Sequence, residues 1–247
     1  MSSSPKKIAL IGGITGGIGS SLASKLAAQQ WTVYGFSRNS AKVESAEKVF
    51  SADATKPDEI KSVVEQLIKT EGALHSYFHC IGSIFLKPGH LTSPEELSGV
   101  LETNLLSAFY ALSCMVPVLL KNENGGSMTF CSTTAVGCGL ANHEAIAAAK
   151  GGLEGMVRAA AATNASRGIR VNAVAPGLVD TPAAKSLLGS DPARKASAAM
   201  HPLGRIGQPA EVASLLAWLA SEDAGWVTGQ IWNIDGGLAH LRAKPRA

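Results

Sequence analysis

The stretch that most constrains this chain is 8–26, IALIGGITGGIGSSLASKL, where an apolar run ends in clustered glycines and hands over to an amphipathic helical pattern. It reads as strand, tight turn and helix. A turn without Cβ atoms lets backbone approach a phosphate, and the N–H groups at the helix start, together with its dipole, favour a dianion there. The pattern therefore points to the pyrophosphate of a nucleotide. The spacing of Gly13, Gly17 and Gly19 is G-x-x-x-G-x-G and not the wider-known G-x-G-x-x-G, so this segment taken alone also fits a glycine-rich turn without a ligand.

The rest of the chain supplies the context. WTVYGFSRN (31–39) has the β-branched and aromatic content of a buried second strand, and it ends in Ser37 and Arg38 with no acidic residue. In a nucleotide-binding βαβ unit an acid at this place would bond the adenine ribose, whereas an arginine suits a 2′-phosphate. An arginine capping a strand end in solvent is the plainer reading. KVFSADA (48–54) predicts a third strand with Asp53 at its end, and Pro57 opens a helix towards Lys69. A fourth strand is expected at 73–82, one or two helices at 94–120 with Asn104 breaking the apolar face, and a fifth strand at 126–134 whose end exposes Ser132, Thr133 and Thr134. An alanine-rich helix at 144–162 carries Lys150 and presents small residues on several faces. A sixth strand (169–175), a helix (210–220) and a last strand (231–234) complete the pattern. Strands alternating with helices throughout predict an α/β fold, a doubly wound parallel sheet of Rossmann type in a single domain (1–247), with ligands at the carboxyl ends of the strands.

Composition sets limits on partners. In 247 residues, 46% hydrophobic content against 17% charged allows one sizeable core, and a formal charge of +3 with scattered Lys and Arg gives no basis for nucleic-acid binding. The four cysteines form no C-x-x-C pair and accompany no grouped histidines, so buried free thiols are expected and no metal site or disulfide framework. MSSSPKK lacks the apolar core of a signal peptide, which points to the cytoplasm. Residues 103–120 are uncharged but include Asn104, Ser107, Ser113 and Pro117, which suits a buried or subunit-facing helix better than a membrane span.

Taken in order, these motifs resemble the short-chain dehydrogenase/reductase family in its single-domain form, over nearly the whole chain. GGITGGIG resembles the family's T-G-x-x-x-G-I-G turn with Gly12 in the threonine's place, and Asp53-Ala54 resembles its adenine-contacting pair. His79-Cys80-Ile81-Gly82 stands at N-N-A-G, Asn104 at the family's helix asparagine, and Pro176 to Thr181 at P-G-x-x-x-T. PLGRIGQPAEVA and VTGQIWNIDGG match its carboxyl-terminal segment. The resemblance implies a nicotinamide cofactor, NADP(H) ahead of NAD(H). It would be held by Gly13, Thr15, Gly17, Ile18, Gly19, Ser37, Arg38, Asp53, Ala54, Cys80, Gly82, Lys150, Pro176, Gly177, Val179 and Thr181. It also implies a small-molecule substrate, a homotetramer or homodimer, a substrate lid at 183–206 and a tail at 238–247 that is frayed or a subunit contact. The lid segment is rich in small residues, with Leu187, Leu188, Met200 and Leu203 as its bulky apolar groups, which suggests a roomy and partly apolar pocket.

One family residue is missing. The family acid is a tyrosine four residues before a lysine, with a serine thirteen residues before the tyrosine; here Lys150 is present, Ile146 stands in the tyrosine's place and Thr133, beside Ser132, in the serine's. In the family the lysine holds the nicotinamide ribose and lowers the tyrosine pKa, a role isoleucine cannot share. At about 100° per residue, His143 lies within roughly 20° of the Lys150 face and about 10 Å along the axis if helical throughout. His143 thus becomes a candidate acid beside Lys150, Thr133 and Asn104, with a solvated histidine at the helix entry as the alternative. Tyr34, Tyr77 and Tyr110 fall in a strand, a strand and a helix interior, so none replaces the missing phenol. The expected function is hydride transfer between NADP(H) and a carbonyl or alcohol, with His143 or an ordered water delivering the proton. The alternatives are a catalytically silent NADP(H)-binding subunit or sensor, and a lyase or isomerase on the same fold.

Overall fold

A computed structural model describes residues 6–242, so residues 1–5 and the end of the tail, 243–247, lie outside the described residues. Strand β1 (Ile8–Gly12) is buried at every position, as a strand covered on both faces must be. Around it lie β2 (Thr32–Ser37), β3 (Lys48–Ser51), β4 (Ser76–His79), β5 (Gly126–Cys131), β6 (Ile169–Pro176) and β7 (Ile231–Ile234). They form one seven-stranded sheet in the order β3-β2-β1-β4-β5-β6-β7, with every pair parallel. The doubly wound parallel sheet expected from the sequence is therefore the fold. The strand order reverses between β1 and β4, and that reversal opens a crevice at their carboxyl ends.

Helices cover both faces. Helices α2 (Pro57–Glu71), α4 (Ser107–Leu119) and α5 (Glu144–Asn164) bury one apolar layer that includes Leu67, Met115, Leu153 and Val157 against Leu10, Tyr77 and Phe130. Helices α1 (Gly17–Ala28) and α7 (Pro209–Ala220) bury the other, with Leu22, Leu26, Val212 and Leu216 against Ile11, Phe78 and Val174. α3 (Pro94–Leu101) opens with a reciprocal capping box between Ser93 and Glu96, and α6 (Asp191–Met200) lies in the expected lid segment with no buried residue.

The boundaries differ from the sequence reading in an informative way. β3, β4 and β5 stop at Ser51, His79 and Cys131, so Asp53, Ala54, Cys80, Gly82 and the hydroxyl cluster stand on loops beyond the strands. Those loops form the crevice. The segment 94–120 is two helices, joined by a π-helical turn over Glu102–Leu106 that holds the buried Asn104. Such turns recur at functional sites. The run Pro94–Leu119 is long and apolar enough to cross a membrane by length and composition. Here Ala108, Ala111, Met115 and Leu119 of that run are fully buried against the sheet and its neighbouring helices.

Gly12, the departure from the family's threonine, has a packing cause. A Cβ on Gly12 would lie 2.8 Å from Tyr77 Oη and 2.9 Å from Phe36 Cζ. Tyr77 Oη lies 2.8 Å from His79 Nδ1, His79 Nε2 lies 3.1 Å from Ser107 Oγ, and Ser107 donates to the Thr103 carbonyl at 2.7 Å. Because Ser107 gives its only hydrogen to Thr103, it accepts from His79 Nε2–H, which leaves Nδ1 to accept from Tyr77. The imidazole is thus neutral, and burial pulls its pKa down to about 3. This buried chain runs from the glycine turn to the π-helical turn. Gly12→Thr, although it restores the family residue, should lower unfolding free energy by about 1–3 kcal/mol through overpacking. Urea unfolding checks this, and an unchanged midpoint would mean that Tyr77 and Phe36 do not set the residue at 12.

Candidate functional site

The glycine turn is built by close approaches. Gly13 has φ +77° and a Cβ there would lie 2.9 Å from the Cys80 carbonyl oxygen, while one on Gly19 would lie 2.3 Å from the Gly13 carbonyl oxygen. Gly17 meets Thr181 Cγ2 at 3.0 Å by the same measure, so the loop after β6 closes over the helix start. Gly16 caps α1 without a side chain and Thr15 is exposed at the turn's tip, which leaves the first-turn N–H groups, those of Gly17, Ile18 and Gly19, facing the crevice. Donors without competing side chains fit the pyrophosphate of a dinucleotide. In the closing loop, Val179 is buried and bridges to Gly207, and Pro176 and Gly177 lead into it. His201, which the sequence reading passed over, locks this loop: its Nε2 accepts from the Leu178 N–H at 3.2 Å and its Nδ1 lies 2.8 Å from the Ser197 carbonyl.

At the β2 end the expected pair separates. The Ser37 hydroxyl is buried and donates to the Asn39 carbonyl in its own turn, so it does not face a ligand. Arg38 is exposed and enters no salt bridge among the described residues. Asp53 accepts from the Thr55 N–H at 3.0 Å and its hydroxyl at 2.9 Å, and these bonds, aided by the charge of Arg38, hold its carboxyl below the usual range against its partial burial. Ala54 is buried beside it.

The chemical end gathers around Gly82. A Cβ there would lie 3.1 Å from Asn104 Oδ1 and 3.4 Å from Lys150 Nζ, so the two side chains converge on one glycine. Asn104 accepts from the Ser83 N–H at 3.0 Å and donates to Ser83 Oγ at 2.9 Å and to the Val100 carbonyl at 3.0 Å. Its amide is therefore a brace for the Gly82–Ser83 loop. Lys150 is buried and donates to the Cys131 carbonyl at 2.8 Å, and burial pulls its pKa down to about 8. An ammonium in that state exchanges its proton near neutral pH.

Of the three hydroxyls expected to be exposed, two are buried and one is half-buried. Ser132 is buried and donates to Glu154 Oε1 at 2.8 Å, and Thr134 is buried and donates to Asp235 Oδ2 at 2.7 Å. Each buried hydroxyl has found a carboxylate because an unpaired one would be costly. Thr133 alone is half-buried, and its Oγ1 accepts weakly from the Ala135 N–H at 3.3 Å, which leaves its hydroxyl hydrogen free. Glu154 lies one turn beyond Lys150 on the same helical face, and Asp235 belongs to the IDGG segment, so both partners had a signal in the sequence.

Ile146 is buried with Val100, Ala145 and Ala149, against Phe85, Leu101 and Leu105, and brings no polar atom to the site. His143 is the N-cap of α5, not part of its first turn, with φ −103° and ψ 11°, and its Nδ1 lies 2.8 Å from the Ala141 carbonyl. The helical angle argument fails there because the backbone leaves the helix at that residue, and among the described residues no hydrogen bond joins His143 to Lys150, Asn104 or Thr133. All four cysteines are free, but only Cys131 is buried; Cys80, Cys114 and Cys138 are half-buried. Among the described residues, no group of three or more His, Cys, Asp or Glu side chains is placed to hold a metal ion.

Known proteins place this arrangement. A family profile described as enoyl-(acyl carrier protein) reductase matches residues 13–239. Cyclohexanol dehydrogenase of Acinetobacter sp. is 36% identical over 248 residues, covering 93% of this chain and 94% of that protein. The 3-oxoacyl-[acyl-carrier-protein] reductase of Thermotoga maritima is 32% identical over 242 residues, covering 94% and 97%. Among solved structures, the ligand-free aldohexose dehydrogenase of Thermoplasma acidophilum aligns with a TM-score of 0.89 at 26% identity, over 98% of this chain and 97% of that one. With the motif order, the parallel sheet and these matches in agreement, the chain belongs to the short-chain dehydrogenase/reductase family.

Proposed function

We propose that this protein is an oxidoreductase for carbonyl or alcohol substrates that uses NADP(H) and exchanges the reaction's proton through Lys150. The observation that carries the reading is the convergence of Lys150 and Asn104 on Gly82, next to a glycine turn that fits a pyrophosphate. When bound, a nicotinamide dinucleotide supplies or accepts the hydride. In reduction, the substrate oxygen takes a proton from Lys150 Nζ, which becomes a neutral amine until solvent reprotonates it; in oxidation the amine takes the hydroxyl proton. Thr133 has a free hydroxyl hydrogen to orient the substrate oxygen, Asn104 braces the loop beside the ammonium, and Ile146 is an apolar wall. The relatives' names, which include cyclohexanol and 3-oxoacyl groups, support the alcohol and carbonyl classes. Residues 183–206 serve as the substrate lid in this reading, since α6 buries nothing and is tied down by the Arg194–Asp180 ion pair at 2.9 Å. Free thiols suit a reducing compartment, in keeping with the cytoplasm. Ile146 is the one residue that favours the second reading, a cofactor-binding sensor without redox turnover.

The proton donor is tested by pH. Burial has lowered the Lys150 pKa, so the acid form is lost as pH rises through about 8. Ketone reduction should fall through that pH, and alcohol oxidation should rise through it. Removing a positioned acid costs about 10² to 10⁴ in rate, so Lys150→Met should lose turnover on that scale and His143→Ala should not. A collapse of turnover in His143→Ala with Lys150 intact would return the role to the histidine. If neither the natural protein nor Ile146→Tyr turns over any of a panel of ketones while NADPH binds, the sensor reading replaces the reductase.

Cofactor choice rests on Arg38, whose exposed guanidinium suits a 2′-phosphate. NADPH should bind more tightly than NADH by about 1–3 kcal/mol, and Arg38→Ala should remove most of the gap. Equal affinities by fluorescence titration would sink the assignment.

Assembly follows from surface that the single chain leaves uncovered. Leu97, Leu106 and Phe109 are exposed along α3 and α4, and Trp226, Trp232 and Leu241 at the β7 end. We assign these faces to a homodimer or homotetramer. Light scattering at micromolar concentration should give a multiple of the chain mass, and the monomer mass alone would refute it.

A further inference from the structure

The thiols of Cys80 and Cys131 take no part in the chemistry proposed above, yet the fold sets the two residues side by side. The last paired residues of β4 and β5 are His79 and Phe130, and each is followed directly by one of the two cysteines. Both side chains therefore leave the sheet on the same face, the one that Phe78 occupies beneath α1 and α7. Neighbouring strands lie about 4.7–4.9 Å apart, inside the about 4.4–6.8 Å between Cα atoms that a disulfide spans. Lys150, held on the Cys131 carbonyl at 2.8 Å, puts a cation beside both thiols. Cys80 is half-buried where the crevice opens, and its carbonyl oxygen is the atom that a Cβ on Gly13 would strike.

We propose that Cys80 and Cys131 are a redox-active dithiol in the floor of the crevice, which a peroxide closes to a disulfide and which thereby weakens cofactor binding. The neighbouring Cys80 side chain and the charge of Lys150 pull the Cys131 thiol down against its burial, while the Cys131 side chain and burial push Cys80 up, so Cys131 is the attacking thiolate. Its sulfur attacks a peroxide oxygen; the S–O bond forms, the O–O bond breaks, and the released hydroxide takes a proton to become water. The Cys80 sulfur then attacks the sulfenic sulfur, the S–S bond forms, the S–O bond breaks and a second water leaves with the thiol proton. Two thiols lose two electrons and the peroxide gains them. The Cys80 carbonyl backs Gly13 and the Cys131 carbonyl holds Lys150, so drawing the two residues together shifts both the pyrophosphate turn and the ammonium. The effect on the cofactor rests on the NADP(H) reading; formation of the disulfide does not.

The experiment treats the full-length protein with hydrogen peroxide, digests it without reduction and maps linked peptides by mass spectrometry, with NADPH affinity measured before oxidation, after it and after rescue by a phosphine reductant. Expected are a peptide linking Cys80 to Cys131, its absence from Cys80→Ser and Cys131→Ser, and NADPH binding weaker by about tenfold, or about 1.4 kcal/mol, that the reductant restores. Should the serine variants not fold, phenylarsine oxide, which bridges paired thiols, should remove two titratable thiols per chain from the natural protein. Linkage of either cysteine to Cys114 or Cys138, or over-oxidation of single thiols with no linked peptide, overturns the proposal. A linked peptide with unchanged NADPH affinity overturns the switch. A linked peptide in a protein that binds NADPH in neither state upholds the dithiol and sinks the cofactor reading instead.

Discussion

The rest of the molecule depends on how closely the turn after β1 approaches its neighbours. A side chain on Gly19 would stand 2.3 Å from the Gly13 carbonyl oxygen, and one on Gly13 would stand 2.9 Å from that of Cys80. These contacts put the start of α1 against both its own turn and the end of the next strand in the sheet. Since β1 pairs with β2 on one side and β4 on the other, the helix start then points into the crevice where the strand order reverses. Every group with chemistry to offer reaches the same place from a different strand end: Gly82 after β4, Lys150 across the end of β5, and the 176–181 loop after β6.

Features carried by local pattern were legible in the sequence. The glycine turn, the alternation of strands and helices, Asn104 and Lys150 are each recognisable within a short window, and the structure brings Asn104 and Lys150 to the same glycine. What escaped depends on partners far along the chain. Ser132, Thr133 and Thr134 look alike as consecutive hydroxyls, and only the carboxylates of Glu154 and Asp235, the latter 101 residues from Thr134, decide which are buried and bonded and which one is left facing out. His143 escaped for a local reason of another kind. Asn142 adopts φ +64° just before it, so the backbone enters α5 from a turn and the helical angle from Lys150 does not extend that far. His201 carried no motif, and its role depends on a packed backbone amide, that of Leu178, which no pattern in its own segment announces.

The departures from the family pattern compensate one another. Gly12 makes room for Tyr77, Tyr77 bonds His79 in the place of the family's first asparagine, and His79 passes the chain on to Ser107 below the turn that carries Asn104. A buried imidazole and a buried phenol are tolerated together because each satisfies the other in one tautomer. Ile146 is matched in the same way by Val100, Ala149 and Phe85, which pack around an aliphatic side chain.

That pattern bears on whether the site has lost its chemistry. A buried ammonium with nothing to do is a liability, since taking the charge out of water is costly unless hydrogen bonds offset it. Lys150 keeps its charge under strain: one carbonyl, that of Cys131, accepts from it, and burial has already moved its pKa to about 8. A fold that needed only a filled core at this position would be served better by leucine or methionine, which bury without that penalty. Asn104, in a π-helical turn, likewise spends its amide on the Ser83 N–H, the Ser83 hydroxyl and the Val100 carbonyl, beside a glycine that the ammonium also approaches. Both features cost stability and converge on one point in the crevice, which is the arrangement that the proposed proton exchange through Lys150 requires.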